Sequence, residues 1–145
     1  RVCMLRFGVV FDRSGGALAQ LSQSFHYKVG TQLGTGKQWM SWVHLEDVIR
    51  AMVFLLERDD LEGPFNITAP NPVMVSELSK AISKQLPVIF TATIPGYVME
   101  LMLGQMATEL LLGSQRVLPS ALIAAGFDFL FDDLDLALAQ CFEKI

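Results

Sequence analysis

The chain has 145 residues, of which 52% are apolar and 18% charged, with a mean hydropathy of +0.41 and a net charge of −4. This length suits one domain or a large part of one, and so apolar a composition indicates that some of its surface packs against something outside the sequence. The net charge is negative and Lys and Arg do not cluster, so the sequence lacks the basic surface of a protein that binds nucleic acid or an anionic membrane. No apolar run is long enough to approach a membrane span.

The first residues indicate whether the sequence is part of a longer protein, and the cysteines indicate the redox state of its cellular compartment. The chain opens at Arg1 with strand-like sequence, without Met or a signal-peptide pattern, so we expect a fragment of a longer protein. Cys3 and Cys141 do not make a disulfide framework, and we expect both to be small core residues in a reducing, cytoplasmic compartment. Because His26 and His44 are not spaced with Cys or carboxylates in a ligand pattern, no metal site is predicted.

Residues 2–11 (VCMLRFGVVF) form the first predicted element. The nearly continuous apolar pattern is typical of a strand covered on both faces in a parallel sheet. Arg6 interrupts it, and a buried guanidinium without a partner is costly. Arg6 is therefore expected to meet a carboxylate or a run of carbonyls, to contact a ligand, or to emerge at the sheet edge.

A helix is predicted over residues 17–27, followed by a glycine-rich stretch over residues 30–36. That stretch fits neither the G-x-G-x-x-G dinucleotide fingerprint nor a P-loop, so it is interpreted as a flexible hairpin-like loop. A second helix is predicted over residues 46–58, with Glu46 pairing with Arg50 and Asp47 favouring the positive helix N-terminus. Its wide buried stripe is expected to comprise Val48, Ile49, Met52, Val53, Leu55 and Leu56.

The second half of the chain mixes short strands with helices. Strands are predicted at residues 65–68 and 88–94, with a helix between them that Ser76 caps and that runs to Leu86. Residues 95–126 are interpreted as helical, in segments 97–103, 105–112 and 119–125, with Gly126 as a C-terminal cap. Residues 127–131 alternate like a strand, and Asp132 or Asp133 begins a last helix that ends near Phe142.

Residues 34–49 (GTGKQWMSWVHLEDVI) are the stretch with the strongest suggestion of a ligand site. A glycine-bounded turn leads into an extended segment that carries Gln38, Trp39, Trp42 and His44, and this segment runs directly into a helix. Polar and aromatic groups thus meet where a strand ends and a helix begins, a common location for ligand contacts in α/β proteins.

Several ordered segments resemble a known superfamily. LRFGVV (residues 5–10), WVHLEDV (42–48) and GPFNIT (63–68) look like the second half of an extended short-chain dehydrogenase/reductase. GTGKQW (34–39), GSQRVLP (113–119), AGF (125–127) and DL (133–134) are similar to its epimerase-like subfamily, related to sugar-nucleotide epimerases. The resemblance implies an α/β fold, the C-terminal part of a Rossmann-type protein with mixed short strands, over residues 1–94. A small, mainly helical C-terminal domain is implied over residues 95–145.

The resemblance also implies what lies outside this sequence. Members of the superfamily carry a Gly-x-x-Gly-x-x-Gly fingerprint for the dinucleotide and a catalytic Tyr-x-x-x-Lys before the equivalent of Arg1. Neither Tyr27 nor Tyr97 is followed by Lys at the fourth position. NAD(P) is therefore expected for the intact protein but not as a tightly bound cofactor of this chain, and no catalytic residue is assigned here.

The residues that the resemblance assigns to a site fall into two groups. Arg6, Gly8, Val9 and Val10 are expected beside the nicotinamide of the cofactor, whereas Gln38, Trp39, Trp42, His44 and Arg116 are expected to face a small-molecule substrate. Related sugar-nucleotide epimerases place an arginine for the substrate diphosphate where this chain has Met40, which argues against a nucleotide sugar. Arg116 is the candidate replacement for that anion contact, with a salt bridge locking the C-terminal helices as the alternative.

Two functions follow from this sequence. In the favoured one, the chain is the substrate-binding portion of an NAD(P)-dependent oxidoreductase or epimerase-like protein and is not itself competent for catalysis. In the alternative, the parent protein has kept the fold as a non-catalytic binding or regulatory module. Self-association is expected through the surface that the absent half would cover.

Overall fold

A computed structural model describes residues 1–95, 97, 98, 101 and 113–143 of the chain. Short strands alternate with helices along these residues, and none of the helices described is long and apolar enough to cross a membrane. The strands are β1 (Cys3–Phe7), β2 (Val9–Phe11), β3 (Val29–Leu33), β4 (Trp39–Met40), β5 (Trp42–His44), β6 (Gly63–Ile67), β7 (Val73–Met74) and β8 (Phe90–Ile94). The helices are α1 (Gly16–His26), α2 (Leu45–Leu56), α3 (Val75–Gln85), α4 (Ser120–Ala124) and α5 (Leu134–Phe142).

The strands pair two by two, and three of the four pairs are parallel. β1 pairs with β6, β2 with β5 and β3 with β8 in parallel register, whereas β4 and β7 are antiparallel. Parallel pairs need crossover connections, and here α2 provides the crossover towards β6 and α3 the one towards β8. The described part of the chain is thus a mixed α/β fold with short strands, as the sequence predicts.

Two clusters of buried side chains form the core. The first joins α1, β3, α3 and α5, and the second joins β1, α2, β6 and α4. β2 and β5 stand between them, because Phe11 and Trp42 pack in the first cluster while Val10 and Val43 pack in the second. The alternation of side chains along a strand lets this one pair of strands serve both clusters.

The predicted first strand is wrong in two respects. It breaks at Gly8 into β1 and β2, which pair with different partners. β1 is also not covered on both faces, because Met4, Arg6 and Phe7 are exposed. Arg6 therefore emerges at the surface, one of the outcomes expected for it, and it needs no buried partner.

Two segments were predicted in the wrong state. The glycine-rich residues 30–36 are not a hairpin-like loop, because β3 runs through Leu33 and a turn follows at Gly34–Gly36. Gly30 lies so close to β8 that an added Cβ would be 3.0 Å from Thr91 Oγ1, and close approach of another backbone is a recognised use of glycine within a strand. Residues 127–131 are not a strand, since their backbone bonds partly to a side chain of α2.

The helices agree better with their predictions, with three corrections. α2 buries Asp47, Val48, Ala51 and Leu55, so much of its predicted stripe is exposed. Arg50 pairs with Asp47 at 2.8 Å, not with Glu46. α3 begins after Met74, whose N–H donates to the Glu77 carboxylate at 2.7 Å, so Ser76 is not its cap. The predicted helices over residues 97–103 and 105–112 lie almost wholly outside the described residues.

Candidate functional site

Ser41 joins the two groups of residues that the sequence assigns to a site. Its backbone carbonyl accepts a hydrogen bond from Val9 N–H at 2.8 Å, on the cofactor side of the prediction. Its hydroxyl donates to the Gln115 carbonyl at 2.9 Å and accepts from Val117 N–H at 2.8 Å, on either side of Arg116. One buried serine between β4 and β5 therefore holds both predicted segments together.

Gly8 is the residue at which the first strand changes partner. Its N–H donates to the Ile67 carbonyl at 3.1 Å, and the next N–H turns to Ser41. A Cβ added to Gly8 would lie 2.7 Å from the Ser41 carbonyl oxygen and 2.9 Å from Thr68 Cγ2. No side chain fits in this space, so glycine is required by close approach of the backbones.

Thr68 adds a polar atom beside Gly8. It follows β6 directly, it is 2% exposed, and among the described residues its Oγ1 has no hydrogen-bond partner. β1 and β6 are parallel, so Gly8 and Thr68 both lie at the carboxyl ends of neighbouring strands, where open α/β sheets bind their ligands. An unpaired buried hydroxyl at this place is a group that a ligand or a residue outside the described part can satisfy.

Half-buried Trp39 and exposed Arg116 form the outer part of the site. The guanidinium carbon of Arg116 lies 5.0 Å from the centroid of a Trp39 ring, a cation–π contact. The backbone of Trp39 fixes the same loop, because its N–H donates to Ser114 Oγ at 3.1 Å and its carbonyl accepts from Gln115 N–H at 3.1 Å. Arg116 is exposed, and it makes no salt bridge within the described residues.

Other residues predicted to face a substrate are buried. The Gln38 amide donates to the Leu33 carbonyl at 2.9 Å and so closes the turn after β3. Trp42 is fully buried, stacks on Phe11 with 5.4 Å between ring centroids, and donates from Nε1 to the Asn71 carbonyl. Trp42 therefore contributes to the core and offers no surface to a cleft, contrary to prediction. Successive side chains of a strand point to opposite faces, and the face of β5 that carries Trp42 packs in the first core cluster.

His44 and Asp47 hold the start of α2 against the end of the chain. His44 Nδ1 accepts from Glu46 N–H at 3.2 Å, which leaves the proton on Nε2 to be donated to Gln140 Oε1 at 2.8 Å. Asp47 is fully buried, accepts from Leu130 N–H and Phe131 N–H at 2.9 and 2.8 Å, and pairs with Arg50. Both ionisable groups are thus committed to bonds within the protein.

The cysteines and Asp12 are the other groups of the described residues that bear on reactivity. Burial, with a smaller contribution from Asp12, raises the pKa of the Cys141 thiol to about 11, so it stays protonated at neutral pH. The hydroxyl of Ser14 lowers the pKa of the Asp12 carboxyl by hydrogen bonding to it. Cys3 and Cys141 are both free thiols, and the described residues contain no cluster of His, Cys, Asp or Glu that would hold a metal ion.

Sequence reasoning missed Ser41 and Thr68, and it overvalued the aromatic residues. A serine between Met40 and Trp42, in a segment that is otherwise apolar, is the one signal that would have pointed to a buried hydroxyl. The structure brings together Gly8, Val9, Trp39 and Arg116 through Ser41. Arg6 is exposed on β1, two residues before Gly8, while Val10 and His44 face the interior.

The fold is the Rossmann-like α/β fold of epimerase and short-chain dehydrogenase/reductase structures. Two family models match successive parts of the chain: the NAD dependent epimerase/dehydratase family over residues 8–68, and a domain of unknown function (DUF1731) over residues 94–141. An epimerase family protein of Staphylococcus aureus (strain MRSA252) is 37% identical over 144 residues, which is 99% of this chain and 48% of that protein. One of Staphylococcus epidermidis is 38% identical over 138 residues, 95% of this chain and 46% of that protein.

Solved structures give the same result. The human epimerase family protein SDR39U1, crystallised with NADPH, matches with a TM-score of 0.92 and 28% identity over 100% of this chain and 49% of its own. A nucleoside-diphosphate sugar epimerase from Corynebacterium glutamicum matches with a TM-score of 0.76 and 29% identity over 98% of this chain and 26% of its own. These findings support the extended short-chain dehydrogenase/reductase superfamily, and the chain spans about half the length of the curated relatives it matches.

Proposed function

We propose that this chain is the substrate-side portion of an epimerase-like, NAD(P)-dependent oxidoreductase, and that it is not competent for catalysis alone. The observation that carries the proposal is the likeness, over the whole chain, to a human epimerase family protein crystallised with NADPH. The match of residues 8–68 to the NAD dependent epimerase/dehydratase family supports it independently. The two free thiols are consistent with a reducing, cytoplasmic setting.

The residues present fit one wall of a nicotinamide pocket. Gly8 and Thr68 end neighbouring parallel strands, and the buried Thr68 Oγ1 is without a partner in the described part of the chain. When bound, the dinucleotide would supply or accept a hydride. Gly8 would let the backbone lie close to the ring, and Val9 would fix that backbone through Ser41. The sequence has no glycine fingerprint for the diphosphate, so this wall alone is not expected to hold the cofactor tightly.

Trp39 and Arg116 form the substrate side of the proposal. The exposed guanidinium lies over an indole ring and is held there by a loop that Ser41 and Ser114 anchor. A planar cation fixed in this way presents N–H donors to a carboxylate or phosphate. The favoured substrate is therefore a small molecule that carries an anionic group.

Dinucleotide binding tests this proposal. In a protein of the relatives' length that carries this sequence, NADPH or NADH should raise the thermal midpoint progressively as its concentration exceeds Kd. A ligand that binds only the folded state stabilises it by about 2.7 kcal/mol at a hundredfold excess over Kd. The 145-residue chain alone should give no such rise. Absence of any shift in the longer protein with either dinucleotide would overturn the proposal.

Three variants of the longer protein locate the binding wall. Gly8→Ala should weaken dinucleotide binding, because a Cβ in contact with Ser41 displaces the backbone beside the nicotinamide. Gly15→Ala is the matched control, since nothing lies within 4 Å of its Cβ position. Arg116→Gln should leave dinucleotide affinity unchanged, and an equal loss in all three variants would contradict the assignment of the two sides.

A non-catalytic binding module is the second candidate function. His44 and Asp47 are buried ionisable groups of this region, and both are used in structural hydrogen bonds, which favours this candidate. Such a module would keep the fold and the ligand pocket without proton transfer. A Tyr-x-x-x-Lys pair in the sequence of the parent protein would decide against this candidate, and its absence would favour it.

A further inference from the structure

Ser41 uses its backbone and its side chain on different sides of the proposed site. Its carbonyl accepts from Val9 N–H at 2.8 Å, on the side assigned to the dinucleotide. Its hydroxyl bonds to Gln115 C=O and Val117 N–H at 2.9 and 2.8 Å, in the loop that carries the anion contact. A change on one side can therefore reach the other through a single residue.

The dinucleotide side of Ser41 is closely packed. A Cβ added to Gly8 would lie 2.7 Å from the Ser41 carbonyl oxygen and 2.9 Å from Thr68 Cγ2. Groups packed at this density move together, because a displacement of one brings it against the next. A ligand that fixes the backbone of Gly8 and Val9 therefore restrains Ser41 as well.

The loop over residues 114–118 is held mainly by hydrogen bonds. Four of its five residues are exposed, and they are Ser114, Gln115, Arg116 and Leu118. Besides its bonds to Ser41, the loop is tied through Ser114 Oγ and Gln115 N–H to the backbone of Trp39, both at 3.1 Å, and through Leu118 C=O to the Asn66 amide at 3.2 Å.

A segment with this pattern of contacts has two states. Regions with few buried apolar contacts and exposed hydrogen bonds open locally at a free energy far below that of global unfolding. The loop therefore exchanges between a state that is docked on Ser41 and a state that is undocked. Anything that restrains Ser41 in its present position favours the docked state.

We propose that Ser41 is a positioning residue that couples the two sides of the site. A dinucleotide beside Gly8 and Val9 restrains the Ser41 carbonyl, and the restrained residue keeps its hydroxyl where the loop docks. Arg116 is then ordered over Trp39 in the dinucleotide-bound state. This inference rests on the proposed function, because it takes the assignment of both sides as its starting point.

Coupling between two sites is reciprocal. A substrate anion that binds Arg116 in the docked loop must raise the affinity for the dinucleotide by the same factor by which the dinucleotide raises the affinity for the anion. The first ligand orders the loop, so the second meets a smaller entropy cost. The arrangement thus favours substrate binding at a site that already holds its dinucleotide.

Amide hydrogen exchange tests the coupling in a protein of the relatives' length that carries this sequence. The reporter is the Gln115 amide, which bonds to the Trp39 carbonyl and not to Ser41. A saturating dinucleotide, NADPH or NADH, should slow its exchange by roughly fivefold or more. The Leu136 amide, which bonds to the Asp133 carboxylate at the start of α5, is the internal control and should slow less. This comparison needs no variant.

Ser41→Ala separates the two contacts of the residue, because it removes the hydroxyl and leaves the carbonyl that holds Val9. The dinucleotide should still raise the thermal midpoint of this variant, but the Gln115 amide should no longer respond. Ser114→Ala is the matched control, since it removes another hydroxyl that ties the loop and leaves Ser41 unchanged. It should keep the response to the dinucleotide.

The outcomes separate this inference from the proposed function. If neither NADPH nor NADH raises the thermal midpoint of the unaltered protein, both are overturned. A rise without slower exchange at Gln115, or with equal slowing at Leu136, would overturn the coupling alone. Slowing that persists in Ser41→Ala would also overturn it, because the dinucleotide would then protect the loop without Ser41.

Discussion

Ser41 illustrates how one side chain positions two segments that are far apart in the sequence. Its hydroxyl uses both its donor and an acceptor position on the loop that carries Arg116, and its carbonyl holds Val9. Hydroxyl groups are well suited to this role because they donate and accept at once. The position of Arg116 over Trp39 thus depends on a residue that contacts neither of their side chains.

Replacing Ser41 with Ala should lower the free energy of unfolding by about 1–3 kcal/mol, because Val117 N–H would lose its partner in a partly buried position. Urea denaturation followed by circular dichroism measures the change. Ser120→Ala, at the exposed start of α4, is the control and should stay within about 0.5 kcal/mol of the parent. Equal stability of the two variants would mean that water replaces the hydroxyl of Ser41.

At the scale of elements, local pattern predicted the helices well and the pairing of strands poorly. The boundaries of α1 and α5 follow from spacing and from caps such as Asp133, whose carboxylate accepts from Leu136 N–H. The break at Gly8 and the strand character of β3 depend on partners at least thirty residues away, which no window of local sequence contains. Prediction of the site was limited in the same way: the aromatic stretch pointed to Trp39 and the family resemblance to Arg116, but the burial of Trp42 depends on its packing against Phe11.

Gly8→Ala in the 145-residue chain should destabilise the junction between β1 and β2 by roughly 1–3 kcal/mol, the usual cost of forcing an extra carbon into a packed region. The Ser41 carbonyl and the Thr68 side chain must both move to admit the Cβ. Gly15→Ala should be neutral or slightly stabilising, because its backbone is extended and its surroundings are open. A thermal midpoint that falls equally in both variants would show that close packing around Gly8 does not explain the loss.

At the scale of the whole molecule, the two core clusters are not independent. β2 and β5 supply side chains to both, and residues beyond 95 do so as well: Leu138 and Cys141 pack in the first cluster, Leu122 and Phe127 in the second. The division into residues 1–94 and 95–145 remains a prediction about domain organisation. Described residues beyond 95 nevertheless contribute side chains to both core clusters, together with residues 1–94.

Leu138→Ala should therefore destabilise the entire chain, by about 2–5 kcal/mol, since a fully buried leucine leaves a cavity when it is shortened. Tryptophan fluorescence and far-ultraviolet circular dichroism should report coincident unfolding transitions at the lower midpoint, as expected for one cooperative unit. Leu136→Ala, at a site that is 61% exposed, serves as the control. Separate transitions would contradict coupling of the clusters through β2 and β5.

The parallel pairing of β1 with β6 has a further consequence for synthesis on the ribosome. Cys3 pairs with Gly63, sixty positions later, so β1 leaves the ribosome long before its partner has been made. During that interval the edge of β1 that will pair with β6 has no partner. Contacts of such long range also slow folding, because the intervening loop must close before any of them forms.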